Sequence, residues 1–211
     1  MGVVGAQRRS VLLLACGALA QELVALKRLG GWDCVTIECL PALLHNTPRE
    51  IPGAVRAKLE EVKDSYDEVF VAYADCGTGG LLDAVLDEYG VERLPGAHCY
   101  EFFAGAQRFA EIHEVEIGTF YLTDFMVRQF DSIVIRGLGL DLHPELRSVY
   151  FENYQRVVYL AQTDSPELTA KARECAEKLG LEFETCFTGL EPFNEVLPIA
   201  SNRSETLEDS R

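Results

Sequence analysis

EVFVAYADCGTGGLLDAVLDEYG, residues 68–90, decides the fold class. Its opening run, 68–74, has the β-branched and aromatic composition of a strand buried on both faces. It passes directly into Asp75-Cys76-Gly77-Thr78-Gly79-Gly80, and residues 81–89 then read as a helix stopped by Gly90.

Toward the N-terminus the same unit recurs. The apolar run 11–15 ends at Cys16-Gly17, and Leu19, Leu23, Leu26 and Leu29 follow at helical spacing. A second strand is expected over 34–39, a loop containing His45 over 40–48, and an amphipathic helix over 51–67. Toward the C-terminus, 91–94 leads into Pro95-Gly96-Ala97-His98-Cys99 and a helix over about 100–112. The second half reads as strand 118–122, helix 124–130, loop 137–144, strand 156–162, helix 166–179 and strand 181–187. Ser165-Pro166 starts that last helix and Gly180 ends it.

Strands alternating with helices need crossover connections, so the expectation is an α/β fold with a mainly parallel sheet and helices on both faces. Residues 11–199 are read as a single domain between a flexible N-terminus, 1–10, and a disordered tail, 200–211. Laying 69–103 beside 157–193 gives a matching order of strand, turn, helix, Gly, strand and Cys, with Cys99 opposite Cys186. A duplication of this kind would divide the domain into lobes 11–115 and 116–199.

The formal net charge of −15 opposes binding to phosphate backbones or anionic lipid, so neither nucleic acid nor membrane is an expected partner. The apolar run before Cys16 is five residues long, shorter than the roughly 7–15 of a secretory h-region, and no segment reaches the ~18 apolar residues of a membrane span. Gly2 lacks the Ser or Thr at position 6 that myristoylation requires. Seven cysteines, an odd number without disulfide-framework spacing, fit a reducing, cytoplasmic compartment. Tyr150, Phe151, Tyr154 and Tyr159 are core or subunit-interface residues, which leaves room for a homodimer.

In open parallel sheets ligands bind beyond the carboxyl ends of the strands. Cys16, Cys76 and Cys99 all fall there, each before a helix start whose N–H groups favour a thiolate. Converging thiolates repel unless a cation neutralises them, so these three cysteines are the expected metal ligands, with His45 the preferred fourth. Three sulfurs with one open position suit zinc, which activates a thiol or water, or an iron–sulfur cluster with one free iron. Spacing does not separate the two. Cys34, Cys39 and Cys175 are assigned to the core and Cys186 is left open.

Asp75 and Glu101 flank two of the cysteines and are the candidate acid–base groups or ligand-orienting carboxylates; Tyr121, Thr123 and Asp124 stand at a comparable strand end. Gly77, Thr78 and Gly79 form the candidate cofactor-binding turn, since a glycine-rich loop entering a helix can cradle an anion. The turn lacks a P-loop or dinucleotide fingerprint.

Ala15-Cys16-Gly17-Ala18-Leu19, Leu44-His45-Asn46, Ala74-Asp75-Cys76-Gly77-Thr78-Gly79-Gly80 and His98-Cys99-Tyr100-Glu101 resemble segments of a bacterial and archaeal family catalogued as domain of unknown function 1638. The resemblance runs from about residue 11 to about 198. It implies an association with corrinoid-dependent methyltransferase systems acting on methylated amines, and it weights zinc, because methyl transfer to a thiol is commonly assisted by a thiolate-rich zinc. The resulting expectation is a metal-binding protein of one-carbon metabolism, a metal-dependent methyltransferase or lyase acting on a thiol or other small substrate. The alternative is a non-catalytic accessory or carrier module that serves a corrinoid protein or methyltransferase.

Overall fold

In a computed structural model the described residues are 9–197, so the expected flexible N-terminus falls almost wholly outside them and the expected tail entirely so. The chain forms two compact units, Met1–Pro95 and Gly96–Arg211. The α/β class and the parallel pairing are as expected, but the strands are divided between two parallel sheets.

The first unit is built on β1 (Val11–Cys16), whose six residues are all buried. Such a continuous apolar run belongs between two neighbours, and β1 indeed lies between β2 (Val35–Leu40) and β3 (Glu68–Ala72). α1 (Ala20–Gly30) connects β1 to β2 and ends at Gly31, whose left-handed φ of 60° lets the chain reverse. α2 (Ile51–Glu61) precedes β3; it stops six residues short of the expected 67 and gives way to a turn in which Asp64 has φ 64°. α3 (Leu81–Tyr89) leads to the two-residue β4 (Glu92–Arg93). The order is β2-β1-β3-β4. From β1 the chain steps to one side, and from β2 it crosses back over β1 to β3, so the sheet has a topological switch point between β1 and β3.

In the second unit, α4 (Cys99–Ala104) and α5 (Ala106–Val115) replace the one helix expected over 100–112. Gly105, with φ 79°, separates them. Then come β5 (Thr119–Thr123), α6 (Asp124–Phe130) running into a π-helical stretch Asp131–Arg136, α7 (Leu146–Phe151), β6 (Arg156–Ala161), α8 (Pro166–Leu179), β7 (Glu182–Phe187) and α9 (Glu191–Val196). The order β5-β6-β7 contains no reversal. Its core gathers Leu122, Val127, Phe130, Tyr159, Ala172 and Leu179.

The division at Pro95/Gly96 differs from the lobe limit drawn at 115/116. β4 ends at Arg93, and Pro95, two residues on, has no N–H with which to extend a ladder. The paired cysteines of the repeat also part company: Cys186 lies within β7, whereas Cys99 opens a helix. No helix among the described residues is long and apolar enough to cross a membrane.

Candidate metal centre

The first sheet's switch point is where Cys16 and Cys76 sit, one closing β1 and the other following β3. Cys16 is fully buried, and its Sγ accepts from Ala18 N at 3.4 Å, capping the short 3-10 turn Gly17–Leu19. That turn needs the glycine: a Cβ on Gly17 would lie 3.0 Å from the Leu40 carbonyl oxygen. Beyond β2 the expected loop is a 3-10 turn, Ala42–Asn46, and it carries His45 to Cys16, with Nδ1 3.5 Å from the sulfur. One ring nitrogen of His45 also lies within 4.8 Å of Cys76 Sγ.

Burial disfavours a charge on His45, but hydrogen bonds to Cys16 and Cys76 outweigh that cost and push the imidazole from 6.5 up to about 10. The Tyr73 ring lies nearly parallel to His45, with centroids 6.4 Å apart and planes inclined by 15°. Tyr73 was not singled out in the sequence; it is simply the last large residue of an apolar run. His45 thus stands beside the sulfurs of both Cys16 and Cys76, and an imidazole with two thiols offers the donor types that zinc takes.

Two ligands on tetrahedral zinc, with Zn–S about 2.3 Å and Zn–N about 2.05 Å, stand about 3.6 Å apart. The Cys16–His45 spacing of 3.5 Å matches, and it serves a sulfur–imidazole hydrogen bond equally well in the metal-free chain.

Cys76 is held by an uncommon loop. Its own φ is 50°, and Gly77, Gly79 and Gly80 have φ of 83°, 64° and 83°. A cysteine in this left-handed region costs on the order of 1–2 kcal/mol, which glycine avoids. Asp75 closes the loop. Its carboxylate accepts from Thr78 Oγ1 at 2.7 Å, Gly80 N at 2.9 Å and Gly79 N at 3.1 Å. The Thr78 hydroxyl, and then the Gly80 N–H, hold the Asp75 carboxyl at about 2, against a smaller opposing effect of burial. The buried Thr78 also takes Leu82 N at 3.4 Å, starting α3.

The turn Gly77-Thr78-Gly79 is therefore an anion cradle whose donors are already engaged. The Gly79 and Gly80 N–H groups that a phosphate would need are given to Asp75.

The remaining expected site residues belong to the second unit. Cys99 is the first residue of α4, after an extended His98. Glu101, two residues on, accepts from Ala97 N at 3.0 Å and so ties the first turn of α4 to the residue before its N-cap, His98. Its carboxylate fills the space over Gly96, where a Cβ would meet Glu101 Oε2 at 2.6 Å.

Of the cysteines assigned to the core, Cys175 is buried in α8, but Cys34 is half-buried and Cys39 is exposed. The correction follows from topology: β2 is an edge strand with only Val35 fully buried, so Cys39 within it and Cys34 just before it need not point inward. Cys186 is buried, and Arg108 Nε donates to its sulfur at 3.1 Å.

The carboxyl end of the second sheet holds the other polar cluster. Asp124 is 1 % exposed and its Oδ1 accepts from Tyr159 OH at 2.7 Å and from Gln162 N at 3.1 Å. Gln162 Oε1 in turn accepts from Asp124 N at 2.9 Å. Burial, and then the Asp124 carboxylate, push the Tyr159 phenol well up.

A family model described as Protein of unknown function (DUF1638) matches residues 39–197. His45, Cys76 and Cys99 lie inside the matched span, and Cys16 precedes it. No curated protein and no solved structure matches the chain. The match covers well over half of the sequence, and with the segments around His45, Cys76 and Cys99 it shows that the chain belongs to the DUF1638 family.

Proposed function

We propose that the chain is a zinc protein in which Cys16, His45 and Cys76 bind the ion. The observation that carries this reading is the spacing of Cys16 Sγ and His45 Nδ1, 3.5 Å, at the switch point of a parallel sheet. A histidine among the ligands favours zinc over a cluster, since clusters are held chiefly by cysteine thiolates.

The reaction proposed is activation of a substrate thiol, which zinc would bind as a thiolate at its open fourth position. Methyl transfer to that thiol, in a corrinoid-linked system of one-carbon metabolism, is supported by the family resemblance alone. The second reading, a non-catalytic carrier or accessory module for such a system, has the same support.

Metal analysis of anaerobically purified protein, with Cys76→Ala beside it, is the test. About one zinc per chain in a colourless protein, lost in the variant, is the expected result. A visible sulfur-to-iron absorption band would replace zinc by a cluster. No bound zinc or iron in either preparation would sink the metal reading and leave the carrier module.

A further inference from the structure

We infer that Asp75 is a positioning residue whose carboxylate staples the loop 75–80 so that Cys76 is held in a left-handed backbone with its thiol beside His45. The inference rests on the metal reading for its purpose, but its geometry stands separately.

Three donors from the following five residues converge on the one carboxylate: the Thr78 hydroxyl and the Gly79 and Gly80 N–H groups. The loop closed in this way contains Cys76 and three glycines with positive φ, two of them donors. Glycine adopts such angles freely, so Gly77, Gly79 and Gly80 give the loop no rigidity of their own. Cys76 does not adopt them freely; unrestrained, it would relax toward negative φ and re-aim its sulfur. What holds it is the ring of hydrogen bonds to Asp75, completed where Thr78 Oγ1 accepts from Leu82 N and anchors the loop to α3.

A carboxylate in this position has little left for proton transfer. Its oxygens are already engaged by three donors. The N–H groups a phosphate would recruit are the same ones. Both functional roles open to the segment as sequence, general acid–base group and phosphate loop, therefore give way to one: Asp75 is the loop's own anion, and it acts through Cys76.

The experiment compares wild type, Asp75→Asn, Thr78→Val and Thr78→Ser in the full chain. Two readouts are taken: zinc affinity by chelator competition, and iodoacetamide alkylation of Cys76, Cys16 and Cys175 in the zinc-free protein, resolved by mass spectrometry. Asp75→Asn turns an acceptor into an amide facing the loop N–H groups. It is expected to weaken zinc about ten- to a hundredfold, the usual cost of losing a ligand's supporting hydrogen bond. Alkylation of Cys76 should rise at least about tenfold, as hydrogen bonds to a charged acceptor are lost, while Cys16 and Cys175 keep their rates. Thr78→Val should follow Asp75→Asn, and Thr78→Ser, which keeps the hydroxyl, should stay near wild type.

Unchanged Cys76 alkylation in Asp75→Asn would overturn the inference, as would an equal rise at all three cysteines, the mark of general destabilisation. Should wild type take up no zinc, the metal reading falls, and the ratio of Cys76 to Cys16 alkylation still decides for or against Asp75.

Discussion

The two sheets are both parallel, and both end in polar side chains at their carboxyl edges, yet the two edges are built to opposite ends. In the first, order β2-β1-β3-β4 creates a switch point, and the groups placed there are two thiols and an imidazole, one of the thiols on a strained backbone. In the second, order β5-β6-β7 has no reversal, and the edge is closed by Asp124, Tyr159 and Gln162, whose polar atoms serve one another. A parallel sheet opens a crevice only where successive connections diverge. Strand order thus separates an edge that can receive a ligand from one that spends its polar groups on its own cohesion.

The sharpest way to break the contrast is to remove one group from each edge. Cys16→Ser is expected to weaken zinc by more than about a hundredfold, beyond the ~10–100-fold cost of a lost supporting group, with little effect on stability. Asp124→Ala should do the reverse. It leaves the buried Tyr159 hydroxyl and Gln162 N–H without their acceptor and should cost about 2–4 kcal/mol of stability with zinc affinity unchanged. Chelator competition and denaturant unfolding on both variants decide it; an Asp124 variant that loses zinc as Cys16→Ser does would erase the distinction.

Much of this was readable from residues alone, and unevenly so. β1 and β6 are apolar runs flanked by turn formers, and α8 spans the expected 166–179 because Ser165-Pro166 and Gly180 are unambiguous start and stop signals. The break at Gly105 and the separation into two sheets were not readable. Both depend on which surfaces pack together, and a lone glycine or a proline after a short strand has many other uses. The placement of Cys16 and Cys76 at strand ends followed from pattern, but the approach of His45 to Cys16 depends on a 3-10 turn in a segment with no periodicity. Asp75 stands one residue from a proposed ligand, so proximity made it a candidate acid–base group; only the positive φ angles of the glycines after it bring the loop's donors onto its carboxylate.

The first edge should also respond to pH in a way the second does not. His45 is raised to about 10, so at neutral pH it carries a proton that an incoming metal must displace. Zinc affinity should therefore increase with pH up to that value, about tenfold per unit for each proton released, and His45→Gln should lower the slope by one proton. In the metal-free chain the sign is opposite. A pKa raised by folding contributes stability that is complete below 6.5 and is lost as pH rises toward 10. Competition titrations between pH 7 and 9 test the first half and zinc-free unfolding the second; a pH-independent affinity would remove His45 from the ligand set.

The smallest effect separates the Cys76 side chain from its backbone. Cys76→Ala and Cys76→Gly both delete the sulfur and should lose zinc alike, so any difference between them in the zinc-free protein reports the φ of 50°. Alanine keeps the Cβ that the left-handed region penalises, and glycine does not. Despite the greater entropy of glycine in the unfolded chain, Cys76→Gly should be the more stable of the two by about 1 kcal/mol. Comparing their denaturation midpoints at equal m-values measures it. If alanine proves the more stable, Cys76 is not strained, and the first edge then differs from the second in its ligands alone.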